Sequence, residues 1–426
     1  MEQRPFPKPV PVEPFPEKTW LRHTDRADSG REPFFSGRDA EYEVFRSALE
    51  SLEEGIVGGG TMIFHGAPGA GKSALMLECM EAVRRHSTPD DPWVAVPIKP
   101  ETLMSASQAM GVILNAVNKE SKRLSQSASE TITGKFDEYV KIGQKLYREL
   151  SERGFGIGGV SVGGRPQQSS DDGQLAELVF ANTAPLLKKF RLVVFVDEAQ
   201  NMPVRETTEG VMNCLHNPPE DIPLVAAFFG LGDTKQILRD CGLSRPPDKR
   251  VLDLEPLPIP DAQRSLRLML DTYYEGADEE NSHWSIELAN LSQGWPQHIN
   301  RVAVAAGHVI RANGGKVERH LLQQAINEGT ARKCAYYADR RIAGSHDPEL
   351  YKLLAVAAAG KPHGILSRKE IGDIVSGDLE LIHQSLDEFL LKVLHAGLLA
   401  PMAEDSHRFR FPIPSLCDYL QTYPND

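Results

Sequence analysis

The chain has 426 residues, enough for two or three domains and far too many for a small disulfide-stapled scaffold. With 41% hydrophobic and 25% charged residues, its make-up is that of a globular protein and excludes wholesale disorder. Its 47 Lys+Arg against 59 Asp+Glu leave a net charge of -12, which excludes a surface that grips nucleic acid everywhere and confines any such contact to a local patch.

Six prolines stand between residues 5 and 16 (Pro5, Pro7, Pro9, Pro11, Pro14, Pro16). Each removes a backbone donor and favours an extended chain, so residues 1–34 are read as a tail, either a leader or an arm laid over a neighbouring subunit. From Arg38 onward, Tyr42, Phe45, Leu49 and Leu52 recur at helical spacing until Gly55. Five short apolar runs follow: Thr61 to His65, Trp93 to Ile98, Leu192 to Val196, Leu224 to Phe229 and Val251 to Leu254. Continuous apolarity suits strands covered on both faces. Helical periodicity lies between the runs, as in Met110, Ile113, Leu114 and Val117, so residues 35–255 are predicted to be α/β with a parallel sheet.

Residues 118–173 interrupt that alternation with a polar helical stretch and a glycine-rich run from Gly154 to Gly164, suited to a hairpin or a loop. Residues 118–170 hold nine Lys+Arg against six Asp+Glu, a locally basic segment in an acidic chain. Pro256, Pro258 and Pro260 then mark a boundary, and residues 256–344 read as an all-helical domain. From residue 345 to 426 the pattern is three helices, two short strands and a last helix. The third helix carries the stripe Ile382, Leu386, Phe389, Leu390, Val393 and Leu394 and ends at Gly397. Leu398 to Pro401 and Arg408 to Pro412 are expected to pair, because Phe409 and Phe411 alternate with Arg408 and Arg410, which completes a winged-helix pattern.

The five cysteines (Cys79, Cys214, Cys241, Cys334, Cys417) are odd in number and never spaced Cys-x-x-Cys, which points to a reducing compartment and away from a zinc module. The longest apolar runs, such as Leu353 to Ala359, fall well short of the ~18 to 20 residues of a membrane span, and the expectation is a cytoplasmic protein with no membrane partner.

The strongest chemical signal is Gly66-Ala67-Pro68-Gly69-Ala70-Gly71-Lys72-Ser73, a G-x-x-x-x-G-K-S that follows a predicted strand and opens a helix through Ala74. Glycines at these positions let successive backbone N–H groups converge on phosphate oxygens, and the helix N-terminus adds partial positive charge. Lys72 is placed to bridge β- and γ-phosphates, and the Ser73 hydroxyl to complete a Mg²⁺ shell. The second signal is the run Leu192 to Val196 followed by Asp197 and Glu198, two carboxylates delivered to the edge of a parallel sheet where ligands bind. Asp197 is the candidate Mg²⁺ ligand, and Glu198 the group that orients or deprotonates an attacking water.

On these residues, together with Phe35-Ser36-Gly37-Arg38, the chain resembles the AAA+ ATPases, specifically the initiator and loader-like branch of origin-recognition and transposition-helper ATPases, with the signal-transducing STAND ATPases as relatives. The resemblance implies a P-loop NTPase core, a helical lid over 256–344 and a winged helix over 345–426. It makes Phe35, Gly37 and Arg38 candidate contacts to the adenine. It places a polar sensor at the tip of the fourth strand, where Phe229-Gly230 lacks the usual Asn or Thr and Thr234 or Asp233 is the substitute. It asks for an arginine finger reaching a neighbouring subunit's ATP, with Arg245 and Arg250 as candidates. It aligns Gly294-Trp295-Pro296-Gln297 with the start of a second sensor helix, where related proteins carry Arg in place of Gln297; Arg301, one turn later, is the candidate for phosphate.

Residues 345–426 carry seven Lys+Arg and twelve Asp+Glu. An acidic reading helix is repelled by phosphate, which favours a protein-interaction role, while Arg368, Lys369 and the wing arginines leave DNA open. The combined expectation is an oligomeric ATPase that binds ATP and Mg²⁺, releases ADP, and switches or assembles on a protein partner or on DNA through the winged helix or the 118–173 insertion. The alternative is a STAND-like nucleotide switch with negligible turnover.

Overall fold

Five strands form where the sequence is apolar on consecutive residues: β1 (Thr61–His65), β2 (Trp93–Ile98), β3 (Arg191–Val196), β4 (Leu224–Gly230) and β5 (Val251–Asp253). The computed structural model describes residues 36–55, 60–127, 141, 172–243, 248–344, 364–377, 386–395, 397–402, 407–417 and 419. The chain divides into two units: Asp39–His65 with Leu75–Asp253, and Met1–Arg38 with Gly66–Ala74 and Leu254–Asp426. The Pro-rich tail, Phe35, Arg245 and the glycine-rich run Gly154 to Gly164 lie outside the described residues.

In the first unit all strand pairs are parallel and the sheet order is β2-β3-β4-β1-β5. Every residue of β4 and all but the first of β3 are buried, as a sheet covered on both faces requires. Phe64 stacks on Phe229 with ring centroids 4.9 Å apart, and Phe45 of helix α1 (Asp39–Glu53) meets Phe195 at 6.0 Å. Helix α2 runs from Lys72 to His86. Helix α3 (Ala106–Ser127) packs the predicted stripe Met110, Ile113, Leu114 and Val117 into the core. It continues ten residues into the segment read as an interruption, because Leu124 is buried on the same stripe and the partly buried Glu120 is satisfied by Ser87 and Arg123. Helix α4 (Asp172–Leu187) returns the chain to β3, α5 (Glu206–His216) follows it, and α6 (Thr234–Asp240) follows β4.

From Leu254 onward the second unit packs together the helices α7 (Ile259–Tyr273), α8 (Asp278–Ser292), α9 (Pro296–Ala312) and α10 (Leu322–Gly344). They share a core that includes Leu266, Met269, Trp284, Leu288, Ile299, Val302 and Val309. The corner between α8 and α9 demands glycine: Gly294 has φ +70° and a Cβ there would lie 1.9 Å from the Leu257 carbonyl oxygen. Pro296 then begins α9 at a position where its missing N–H costs nothing.

Further along, β7 (Ala400–Pro401) pairs antiparallel with β8 (Arg408–Arg410), as the alternation at Phe409 predicts. A third strand, β6 (Ile365–Ser367), pairs with the other edge of β8 and was not expected, since three residues are too few to show a period. Helix α11 (Arg368–Gly377) opens with a capping box, the Ser367 hydroxyl accepting from the Glu370 N–H while Glu370 accepts from the Ser367 N–H. Helix α12 (Leu386–His395) buries Phe389, Leu390 and Val393.

Candidate nucleotide site

The phosphate loop has the backbone its sequence requires. Gly69 (φ +91°) and Gly71 (φ +88°) take the left-handed conformation that only glycine adopts without strain, and α2 starts at Lys72. Lys72 is 8% exposed, and its ammonium donates to the carbonyls of Gly66 (2.9 Å) and Ala67 (3.1 Å), so the cation is held within its own loop. Ser73 is exposed in the first turn of α2 and Ala74 follows it. Arg38 is nearly buried, at φ +69° behind Gly37 at φ +73°, and its guanidinium donates to the Ala70 carbonyl at 2.8 Å. The resemblance pointed this arginine at a base; the structure ties it to the loop backbone.

The helical segment of the same unit also meets the loop. The Gln297 N–H donates to the Gly69 carbonyl at 3.2 Å and the Tyr336 hydroxyl to the Pro68 carbonyl at 3.2 Å. A Cβ on Gly69 would stand 2.9 Å from the Trp295 indole nitrogen, 2.9 Å from the Gln297 Cβ and 3.0 Å from the Tyr336 hydroxyl. Gln297 therefore meets the loop through its backbone N–H. Arg301 lies over the Tyr336 ring, 5.9 Å from its centroid, and so reaches the neighbourhood of the loop through an aromatic face. Trp295 is fully buried, and its indole N–H has no acceptor among the described residues. Tyr336 was not singled out from the sequence: it sits 268 residues from Pro68, and no local pattern links the two.

In the sheet unit, Asp197 follows directly on β3, whose last residue, Val196, is level with Phe228 of β4. His65, the last residue of β1, is level with Gly230. The ends of β1 and β3 thus stand at one edge of the sheet, and Gly66 is the next residue of the chain after His65. Asp197 is half-buried and accepts the Glu198 N–H at 2.9 Å, while Glu198 is exposed and left-handed at φ +53°. Gln200 is buried beside them. Its amide donates to the Glu198 carboxylate, and its carbonyl oxygen accepts the Leu231 N–H at 3.1 Å, which ties the tip of β3 to the tip of β4. Gln200 was missed from sequence, although a Gln buried two residues beyond an acidic pair has no other purpose in an apolar flank than to hold polar groups.

Thr234 is fully buried in the first turn of α6, and a Cβ on Gly230 would stand 2.1 Å from its hydroxyl. The missing side chain at the β4 tip is therefore a packing requirement. Asp233 precedes it. Arg250 is half-buried in the short turn Asp248–Arg250 that leads into the edge strand β5.

Among the described residues no helix is long and apolar enough to cross a membrane. No curated protein matches the chain. Among solved structures, the chain is similar to the Walker-type ATPase paby2304 of Pyrococcus abyssi, at 12% identity and TM-score 0.49, covering 91% of this chain and 96% of that one. It is similar also to the Aeropyrum pernix ORC2 protein in its ADP form, at 13% identity and TM-score 0.47, covering 97% and 100%. A third is the Drosophila ORC bound to DNA, at 16% identity and TM-score 0.40, covering 100% and 96%. Residues 35–238 match the family described as the AAA ATPase domain. Residues 35–238, which carry the phosphate loop and the parallel strands β1 to β4, are thus an AAA ATPase domain.

Proposed function

We propose that the chain binds ATP with Mg²⁺ at the phosphate loop and hydrolyses it with the carboxylates at the end of β3. The observation that carries this reading is Lys72: a nearly buried ammonium bonded to Gly66 and Ala67, in a loop where Gly69 and Gly71 take the left-handed backbone that a phosphate cradle needs. The donor set fits a nucleotide and its metal. A hydroxyl in the first turn of α2 (Ser73) and a strand-end carboxylate (Asp197) are hard oxygen ligands of the kind Mg²⁺ takes. Bound there, the ion would neutralise charge on the phosphates.

In this reading Lys72 moves from its loop carbonyls to the β- and γ-phosphates, and the backbone N–H groups of Gly69 and Gly71, with that of Ala70 once it leaves the Ala67 carbonyl, donate to phosphate oxygens. Glu198, its carboxylate steadied by Gln200, orients water for in-line attack on the γ-phosphoryl group. Water adds at phosphorus, the bond to the β-phosphate oxygen breaks, and ADP and phosphate leave. Arg245 or Arg250 from a neighbouring copy would complete charge stabilisation in an oligomer. Calorimetry with ATP or ADP and magnesium tests the binding step. Phosphate release by the wild type against Glu198→Gln tests turnover, and equal rates would overturn the hydrolytic role of Glu198. Size measurement with each nucleotide tests the oligomer.

The C-terminal segment is better suited to a protein partner than to DNA. Arg368 is paired with Asp387, and Arg410 bonds Glu255 at 2.6 Å, so two of the cations that would meet phosphates are already neutralised. A second reading, a nucleotide-holding switch with negligible turnover, is favoured by Gln297, which offers the loop a backbone N–H where related proteins offer a cation.

A further inference from the structure

Two pairs of adjacent residues lie where the helices that follow in the same unit meet the phosphate loop. In the first turn of α9 they are Gln297 and His298; in α10 they are Tyr336 and Tyr337. The first member of each pair touches the loop, Gln297 at the Gly69 carbonyl and Tyr336 at the Pro68 carbonyl. The second members meet each other, with the Tyr337 hydroxyl 2.8 Å from His298 Nε2, and Tyr337 also donates to the Pro414 carbonyl at 2.5 Å. Neighbouring side chains of a helix leave its axis about 100° apart, so one turn of α10 faces the loop and the C-terminal segment at once.

The hydrogens around Tyr337 do not suffice for its neighbours. His298 Nδ1 lies 3.1 Å from the Ser292 carbonyl, which can only accept, so Nδ1 carries a hydrogen. A neutral ring then presents a lone pair at Nε2. Tyr337 has one hydroxyl hydrogen and two acceptors competing for it, His298 Nε2 and the Pro414 carbonyl. An imidazolium would end the competition by donating from Nε2. Burial, reinforced by the charge of Lys333, pushes the His298 pKa down to about 3, so the ring is neutral at physiological pH. The hydroxyl of Tyr337 is therefore a two-position donor, and its bond to Pro414 has a ready competitor.

Pro68 is pressed from a second side. Gly397, with φ +67°, lies so close that a Cβ on it would stand 2.3 Å from Pro68 Cδ. Pro68 thus touches both α10 and the C-terminal segment. A triphosphate that draws Lys72 off the Gly66 and Ala67 carbonyls re-partners the residues immediately before Pro68.

We propose that Tyr336 and Tyr337 couple the phosphate loop to the C-terminal segment: Tyr336 is a positioning residue that holds Pro68, and Tyr337 keeps the Pro414 segment docked only while Pro68 is held. The coupling rests on the nucleotide reading above and adds to it a route and a direction, in which nucleotide entry releases residues 408–417.

Hydrogen exchange of residues 408–417 in the full chain, with and without ATP and magnesium, tests this alongside the affinity for a fluorescent ADP analogue. In the wild type, nucleotide should speed exchange there by about threefold or more. Tyr336→Phe should bind nucleotide yet lose that response. Tyr337→Phe should exchange fast without nucleotide and, by linkage, bind nucleotide more tightly by a similar factor. Gly397→Ala, which pushes on Pro68 from the other side, should also exchange fast without nucleotide. A wild type that takes up nucleotide with no change at 408–417, or a full response retained in both tyrosine variants, overturns this inference alone. A wild type that takes up no nucleotide overturns the nucleotide reading and the coupling with it.

Discussion

The acidic tip of β3 and the phosphate loop are held in opposite ways. Glu198 is steadied by Gln200, two residues away, which borrows one N–H from the adjacent strand. The loop is held by Arg38 from before the first helix, by Gln297 and by Tyr336, from segments up to 268 residues distant. A carboxylate at a strand end can be fixed locally because the sheet already positions it. The loop takes its partners from segments far away in the chain, and in the proposed reading it exchanges some of them when an anion arrives. The contrast predicts that changes near Glu198 alter rate, and that changes around the loop alter affinity.

The contrast can be broken most severely at Lys72. Lys72→Ala should weaken ATP binding by on the order of a hundredfold or more, read by calorimetry, since no other side chain delivers charge from within the loop. Glu198→Gln should leave binding within a few-fold while phosphate release falls about a hundredfold. Gln200→Ala sharpens the comparison: kcat should fall about tenfold with KM unchanged, and Gln200→Glu, which puts a like charge against Glu198, should not rescue it. The smallest effect lies at His298. Its pKa is lowered to about 3, so the unfolded chain takes up a proton near pH 6.5 that the folded chain refuses. Stability from this residue is complete above pH 6.5 and declines below it, by about 0.7 kcal/mol between pH 7 and pH 6. Urea unfolding at the two pH values should show this slope in the wild type and lose it in His298→Gln.

Much of the architecture was legible because its signals are local. Five strands fell on the five apolar runs; in the central β3 and β4, burial on both faces leaves no polar alternation, and the loop and the Asp197-Glu198 pair carry their chemistry in contiguous residues. Strand β6 escaped because Ile365–Ser367 is too short to declare a period and exists by pairing with β8. Arg38 was singled out from the sequence, but its bond to the Ala70 carbonyl, 32 residues away, was not legible, because no side-chain pattern encodes a backbone partner. Tyr336 was missed for the same reason, its partner being the Pro68 carbonyl. Phe35 and Arg245 fall outside the described residues, and their assigned roles stand as proposals.

The self-bonded Lys72 has a kinetic meaning. Its positive charge is already solvated by two peptide oxygens, so an arriving nucleotide meets a ligand-exchange step and not a bare attractive centre. In a protein of net charge -12, long-range attraction contributes little to capturing a polyanion, and the rate of capture is set by how often the loop lets go of its own lysine.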